Sequence, residues 1–375
     1  MAQGSRIATV ELFELTIPFA DGGAGLGLTP DRWDRFETVL LRLTDEAGRQ
    51  GWGEAFSYAC RGAVSAAVRE MVAPLLLGQD AADPPAVTEM LQRKLHLFGR
   101  YGITLFALSG ADIALWDLKA RVAGVPLAAL LGPRRREAVA AYASLVRYGD
   151  PALVERFAAC AVAEGYRSVK LHEVTEATIA AGRSGAGPGT HLTVDVNCAW
   201  TVAEARARLP FLAAQGITWL EEPVFPPEDA TGLAALRAAG PVAVAAGENA
   251  CTRWQFAQMI AAGAVTFPQP SVTKLGGVTE FLAVLEAAER AGLTCMPHSP
   301  YFGPGYFATL QLLAVAPGEP LLEVLYVEPE GYPGLGTPLP RDGMVAIPTG
   351  PGIGFAPDPA VFERHVTARW SSAAG

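Results

Sequence analysis

Two patterns of apolar and polar positions follow one another along the chain. Residues 5–20 and 36–55 alternate apolar with polar, the period-two signature of strands with one buried face. The turn Asp45-Glu46-Ala47-Gly48 splits the second stretch into a hairpin. Between the first strand and the hairpin lies the Gly-rich run DGGAGLGLTPDRWD, which reads either as a plain surface loop or as a lid over a substrate. From about 62 to 131 apolar residues recur at i, i+3 and i+4, as in ALSGADIALWDLKARVAGVPLAALLG, so residues 1–131 predict an α+β unit of a meander followed by helices.

After residue 135 short apolar runs alternate with Ala-rich amphipathic stretches, several ending on Gly, as repeated βα units do. Strands are expected at 138–143, 167–172, 192–196, 217–221, 242–247, 264–268, 293–297 and 321–325. Eight strands with short, regular connections predict an α/β fold closed as a TIM-type barrel over 132–329 rather than an open doubly wound sheet. Residues 330–375 are rich in Pro and Gly, carry no repeat pattern, and are expected to run back over the first unit.

Composition narrows the function. Half of the 375 residues are hydrophobic and 18% are charged, which fits a compact globular protein with a large core. A net charge of −9 argues against a nucleic-acid partner, which needs clustered Lys and Arg. The apolar runs are too short or too charged to span a bilayer, and no signal-peptide pattern opens the chain, so no membrane partner is expected. Cys60, Cys160, Cys198, Cys251 and Cys295 are scattered and never spaced as CxxC, which fits reduced thiols in the cytoplasm.

The ends of the barrel strands carry the chemistry, because all the βα loops converge there. Ionisable residues recur at these ends every 24–27 positions: Lys170, Asp195, Glu221, Glu248, Lys274, His298 and Glu323. A lone carboxylate after a strand is more often a helix cap or a solvated loop residue, but a series in phase is not explained that way. Asp195, Glu221 and Glu248 follow consecutive strands roughly 4.8 Å apart, where three carboxylates repel unless a cation sits between them. An all-oxygen donor set favours Mg2+, with Mn2+ as the alternative, and leaves positions for water and a bidentate carboxylate substrate. Lys170 and His172, two apart on one strand, leave the same face, while Lys274 and His298 come from the opposite side of the mouth. Bases flanking a metal-bound carboxylate suit abstraction of the proton alpha to it, the metal stabilising the enediolate.

The runs SGADIALWDLKARVAGVPLAALLG, VDVN, WLEEP, AAGEN, KLGGVTEF and PHS, in this order and over nearly the whole chain, resemble the mandelate racemase/muconate lactonizing enzyme branch of the enolase superfamily. The resemblance implies a modified (β/α)7β barrel capped by an N-terminal α+β domain, with loops near 20–30 and 53–62 closing over the substrate. It makes Asp195, Glu221 and Glu248 the metal ligands, Lys170 the lysine of the second-strand base motif, Asn197 a polar contact near the metal, and Glu323 a carboxyl group that hydrogen-bonds a substrate oxygen. It is also the basis for expecting a homo-oligomer. Tyr58, in the second loop, is a candidate substrate contact, while Trp33 and Arg61 read as ordinary packing residues.

Three departures from the family pattern stand out. His172 occupies the place of the second lysine of Lys-x-Lys, Ser271 stands where an Asp partners the strand-seven His, and Lys274 fits more than one subgroup. Dehydration of a sugar acid or related hydroxy acid leads, because two His residues join the lysines. Racemisation or epimerisation and cycloisomerisation remain open. A noncatalytic metal-binding protein on the same fold is the alternative from another class, and a phosphate-handling barrel, suggested by HSPYFGPG, would leave the carboxylate triad unexplained.

Overall fold

The computed structural model describes residues 6–27 and 32–374. Residues 28–31 of the expected lid lie outside the described residues. Among the described residues thirteen strands run in chain order: β1 Ile7–Ala20, β2 Arg35–Asp45, β3 Gln50–Ala55, β4 Ala138–Ser144, β5 Ser168–Leu171, β6 His191–Asp195, β7 Ile217–Glu221, β8 Ala243–Ala246, β9 Phe267–Pro268, β10 Leu322–Leu325, β11 Glu328–Pro329, β12 Met344–Ala346 and β13 Val366–Ala373.

β1, β2 and β3 form the antiparallel meander, and β11 and β13 pair with β1. β13 was not legible in the C-terminal segment: its pattern alternates half-buried with exposed positions and has no buried face, so no apolar period betrays it. The meander packs against the helix Ile103–Ala123, which is buried nearly all round because sheet and barrel cover it on different sides. Its two aspartates, buried completely, tie the layers together. Asp112 accepts from Thr88 Oγ1 (2.6 Å) and from the backbone N of Thr279 (3.0 Å) on a barrel helix. Asp117 accepts from Trp52 N (2.8 Å), Arg121 Nε (2.7 Å) and Ile353 N (2.7 Å).

The second sheet is parallel along β10-β4-β5-β6-β7-β8-β9, with β12 antiparallel on β4. Its registers set Asp195 beside Glu221 and Glu323 beside Tyr142. One expected strand is corrected. Residues 293–297 form no regular strand; they approach β9 through a bond from Met296 N to Pro268 O (2.9 Å), and Leu321 N points at Met296 Sδ (3.3 Å). Pro268, Pro270 and Pro297 have no N–H to donate, so a full ladder cannot form here, and β9 shrinks to two residues for the same reason. Below the strand ends, Tyr142, Trp219, Ala245 and Met296 fill the barrel interior. Among the described residues no helix is long and apolar enough to cross a membrane.

Sheet and helix meet without room to spare: a Cβ on Gly53 of β3 would lie 1.9 Å from the carbonyl oxygen of Gly110. Gly53→Ala is therefore expected to cost about 3 kcal/mol or more by forcing the two backbones apart. Gly62→Ala, in the helix Arg61–Ala67 with nothing within 4 Å of the new methyl, is expected to be neutral or to stabilise by up to about 1 kcal/mol. Thermal unfolding of both variants checks the contrast; equal melting temperatures would contradict the close packing.

Candidate active site

Asp195 and Glu221 end neighbouring strands, and Glu248 lies two residues beyond β8. Each offers an oxygen within 4.8 Å of the others. Asp195 and Glu221 are fully buried, so their charges cannot be spread into water. Lys170, also fully buried, answers them: its Nζ lies 2.7 Å from Glu221, 2.6 Å from Glu323 and 3.4 Å from Asp195. Beneath it lies the Tyr142 ring, 5.7 Å from Nζ to centroid, and the Trp219 indole donates to Glu221 Oε2 (3.0 Å).

The electrostatics follow from this geometry. Burial would lower the Lys170 pKa, but Glu221, Glu323 and Asp195 outweigh it and hold the ammonium well above the usual lysine range. Burial raises the Glu221 carboxyl well above its ordinary value, and Asp195 and Glu323 add to the shift. Burial works the same way on Asp195, Glu248 and Glu323, yet each ends below the ordinary carboxylate value: Asp195 because of Lys170 and His172, Glu248 because of His298, Lys274 and Lys170, Glu323 because of Lys170 and His298. The cluster is thus an anionic site with one fixed internal cation.

His172 and His298 face it from two sides. Nδ1 of His172 bonds to the Leu145 carbonyl, which only accepts, so Nδ1 carries the hydrogen and Nε2, 3.3 Å from Asp195 Oδ2, is the exchangeable position. His298 places Nε2 3.0 Å from Glu248 Oε2 and Nδ1 3.2 Å from Ser271 Oγ. The carboxylate missing at position 271 is therefore answered by a carboxylate on the other ring nitrogen. Asn197, at φ +46, holds its backbone N to Asp195 Oδ1 (2.8 Å) and its side-chain oxygen to Arg147 (3.0 Å). Glu323 accepts from Ser144 Oγ and from Ser299 N, both at 2.8 Å.

A cavity of about 190 Å³ opens above these groups, lined by His172, Asn197, Glu248, His298 and Glu323 from the barrel and by Tyr58 from the N-terminal unit. Lys170 and Lys274 are absent from the described lining. Lys170 is enclosed by carboxylates, and Lys274 sets Nζ 4.8 Å from the centroid of the Phe56 ring. Of the four acid/base candidates, the two imidazoles line the open space and the two ammonium groups do not.

Residues 32–132 match the model of the mandelate racemase/muconate lactonizing enzyme N-terminal domain, and residues 152–361 match the enolase C-terminal domain-like model. The chain belongs to the mandelate racemase/muconate lactonizing enzyme family of the enolase superfamily. Its relatives include the D-galactarolactone cycloisomerase of Agrobacterium fabrum, 36% identical over 86% of this chain and 90% of that protein. The arabinonate dehydratase of Saccharolobus solfataricus is 28% identical over 88% and 90%. The crystal structure of L-talarate dehydratase from Polaromonas sp. JS666, complexed with Mg and L-glucarate, superposes at a TM-score of 0.83 with 26% identity, covering 99% of this chain and 100% of that one.

Arg147 and Glu54 are among the lining residues that sequence reasoning missed. Arg147, in the loop after β4, gives Nε to the His172 carbonyl (2.9 Å) as well as an N–H to Asn197. The strand-end spacing, started one strand earlier, lands on Ser144 beside Lys170, and Arg147 lies three residues further into that loop. Glu54, in GWGEA, is 5% exposed; it accepts from Thr38 Oγ1 (2.8 Å) and, with its second oxygen, from Gly305 N (2.8 Å) at the start of the helix Pro304–Val315. It clasps the N-terminal sheet to the barrel. A carboxylate at an inward position of a strand was the available signal.

Burial pushes the Glu54 carboxyl up to about 7, against the two hydrogen bonds from Gly305 and Thr38, while a free glutamate titrates near 4.5. The folded chain thus holds this proton more tightly than the unfolded chain. The stabilisation is full below 4.5 and is lost as pH rises through about 7. Glu54→Gln cannot ionise and is expected to escape that loss. Its stability relative to the unchanged chain should rise between about pH 5 and about pH 8, by about 1.4 kcal/mol for each pH unit of the titrating interval. Urea unfolding at both pH values measures it; a pH-independent difference would contradict it.

Proposed function

We propose that this enzyme removes the proton alpha to the carboxylate of a hydroxylated acid of the sugar-acid kind and expels the β-hydroxyl, in a reaction that depends on Mg2+. The observation that carries the reading is the cluster of Asp195, Glu221 and Glu248, which reaches one cavity through Glu248 and shares that cavity with two imidazoles. Three carboxylate oxygens within 4.8 Å of one another, two of them on buried residues, call for a divalent cation, and an all-oxygen set suits Mg2+ or Mn2+. These residues would hold it; when bound, the cation supplies positive charge against the negative charge that develops on the substrate carboxylate.

His172 Nε2 is the base, since the Leu145 carbonyl fixes the hydrogen on Nδ1, which leaves Nε2 to take a proton, and the ring lines the cavity. As the α-proton passes to it, the electron pair left on carbon forms the carbon–carbon double bond and the β-hydroxyl departs. His298 protonates that hydroxyl to water from Nε2, and the 2-hydroxy-2-enoic acid left from a 2,3-dihydroxy acid tautomerises to the 2-keto-3-deoxy acid of which it is the enol. Lys170, kept protonated by its carboxylates, orders the cluster and takes no proton. Lys274 adds positive charge beside Glu248. Asn197, Glu323 and Arg147 offer hydrogen bonds to substrate oxygens, and Tyr58 lines the mouth.

Cycloisomerisation is the second reading, favoured by the 36% identity to the galactarolactone cycloisomerase: the same base acts, and a ring oxygen leaves in place of hydroxide. The division of the chain near residues 131 and 329, a cytoplasmic location and a homo-oligomer belong to the same proposal; five unpaired cysteines support the location.

Proton NMR in deuterium oxide with Mg2+ and a pool of hydroxy acids tests it. Exchange of the α-proton with loss of the β-hydroxyl is expected, abolished by chelation and restored by Mg2+. His172→Asn is expected to lower kcat about 10²–10⁴-fold with metal binding intact, whereas Glu248→Gln is expected to weaken Mg2+ binding measured calorimetrically. Metal-loaded protein that exchanges no α-proton across a broad pool would point instead to a noncatalytic role.

A further inference from the structure

The cavity has two unlike walls. The barrel side carries Glu248, Glu323, the imidazoles, Asn197 and Arg147, whereas the other wall, beside Glu37, Glu54 and a few hydroxyls, is built largely from Ile17, Leu26, Trp33, Phe36 and Phe302. The rings form one continuous net: Trp33 meets Phe36 edge-on at 6.2 Å between centroids, Phe36 meets Phe302 at 5.6 Å, and Trp33 meets Tyr58 at 5.1 Å.

The polar side chains of this wall include the Tyr58 phenol and the Glu37 carboxylate, which lies 3.8 Å from Arg61 Nη1 and would repel a second carboxylate. Thr38 donates to Glu54 (2.8 Å), Glu54 accepts from Gly305 N (2.8 Å), Ser57 donates to the Glu37 carbonyl (2.8 Å), and Tyr301 donates to the His298 carbonyl (3.1 Å). Among the described lining residues, Arg147 is the one guanidinium. It stands on the barrel side with two of its N–H groups given to His172 and Asn197. Nothing described on the facing wall would neutralise a second carboxylate. A chain of hydroxyls pressed against it would lose water and gain few bonds.

We infer that the substrate is a 2,3-dihydroxy acid whose end remote from the carboxylate is apolar, a terminally deoxygenated or hydrocarbon group, and not a hydroxymethyl group or a second carboxylate. This rests on the α-proton chemistry proposed above and names the acids on which that chemistry runs. The barrel side recognises the carboxylate and the two hydroxyls next to it, and the aromatic wall selects the other end by excluding groups that need water. A pocket of this kind separates acids that differ by one apolar group about 10–200-fold, and it rejects a charge more strongly because a buried carboxylate would lack a partner.

The test uses the unchanged, Mg2+-loaded protein and sets of acids matched in configuration at C2 and C3, ending in carboxylate, hydroxymethyl, methyl, isopropyl or phenyl. α-Proton exchange and product formation are followed by NMR. The expected result is kcat/KM at least tenfold higher for the methyl- or hydrocarbon-ended acids than for the hydroxymethyl acid, with the diacid poorest. Equal or higher kcat/KM for the hydroxymethyl acid or the diacid overturns the inference while leaving the proton chemistry standing. Absence of exchange with every member, in protein shown to bind Mg2+, overturns the chemistry and the inference with it. Phe36→Gln is expected to raise KM for the methyl-ended acid and to narrow its advantage over the hydroxymethyl acid; an unchanged ratio in folded variant protein counts against the aromatic wall as the selector.

Discussion

Three carboxylates, two of them buried, meet at one point of the barrel mouth, and the rest of the site is arranged around the cost of keeping them there. Coulomb repulsion between like charges within 4.8 Å is severe where water cannot screen it. Lys170 offsets part of it from below, in contact with Glu221, Glu323 and Asp195, and the Tyr142 ring and Trp219 indole close the space under it. The imidazoles of His172 and His298 meet the cluster from above. The same repulsion that makes the cluster costly would be relieved by the cation proposed for it, so stability and the proposed function draw on one interaction.

The barrel supplies the floor of the cavity and, through Tyr301 and Phe302, part of its side. Its other wall comes from the N-terminal unit, whose position is fixed by buried polar contacts as well as by apolar packing. Asp112 and Asp117 carry the helix Ile103–Ala123 against a barrel helix and the C-terminal segment, and Glu54 joins β3 to the start of the helix Pro304–Val315. Carboxylates buried without a hydrogen-bond partner would be strongly destabilising. Here each has partners from a different layer, so the layers can meet only in one relative position. That position fixes the distance between the aromatic wall and the catalytic floor.

Much of this was legible in the sequence, for a definite reason. Period-two and period-3.6 patterns report which face of each element is buried, and in a parallel barrel every strand ends at the same rim. Lys170, Asp195, Glu221, Glu248, Lys274, His298 and Glu323 could thus be assigned to one rim from spacing alone. β13 left no such trace because neither of its faces is buried, and residues 293–297 misled because apolar residues followed by Pro297 look like a strand until the missing N–H groups are counted.

What the sequence by itself determined was the inventory: a capped parallel barrel, an oxygen-only cation cluster, and imidazoles in phase with it. Tertiary structure alone decided which of those groups meet open space. Lys170 and His172 leave one strand on the same side, yet the lysine is sealed among carboxylates and the histidine lines the cavity. Arg147 enters the site by bonding across to neighbouring strand ends, and Glu54 enters it from a sheet remote in sequence. Local periodicity fixes the direction in which a side chain leaves its own backbone. The distance to its partner depends on how far-separated segments close on one another, and that is set by the packing of the whole chain.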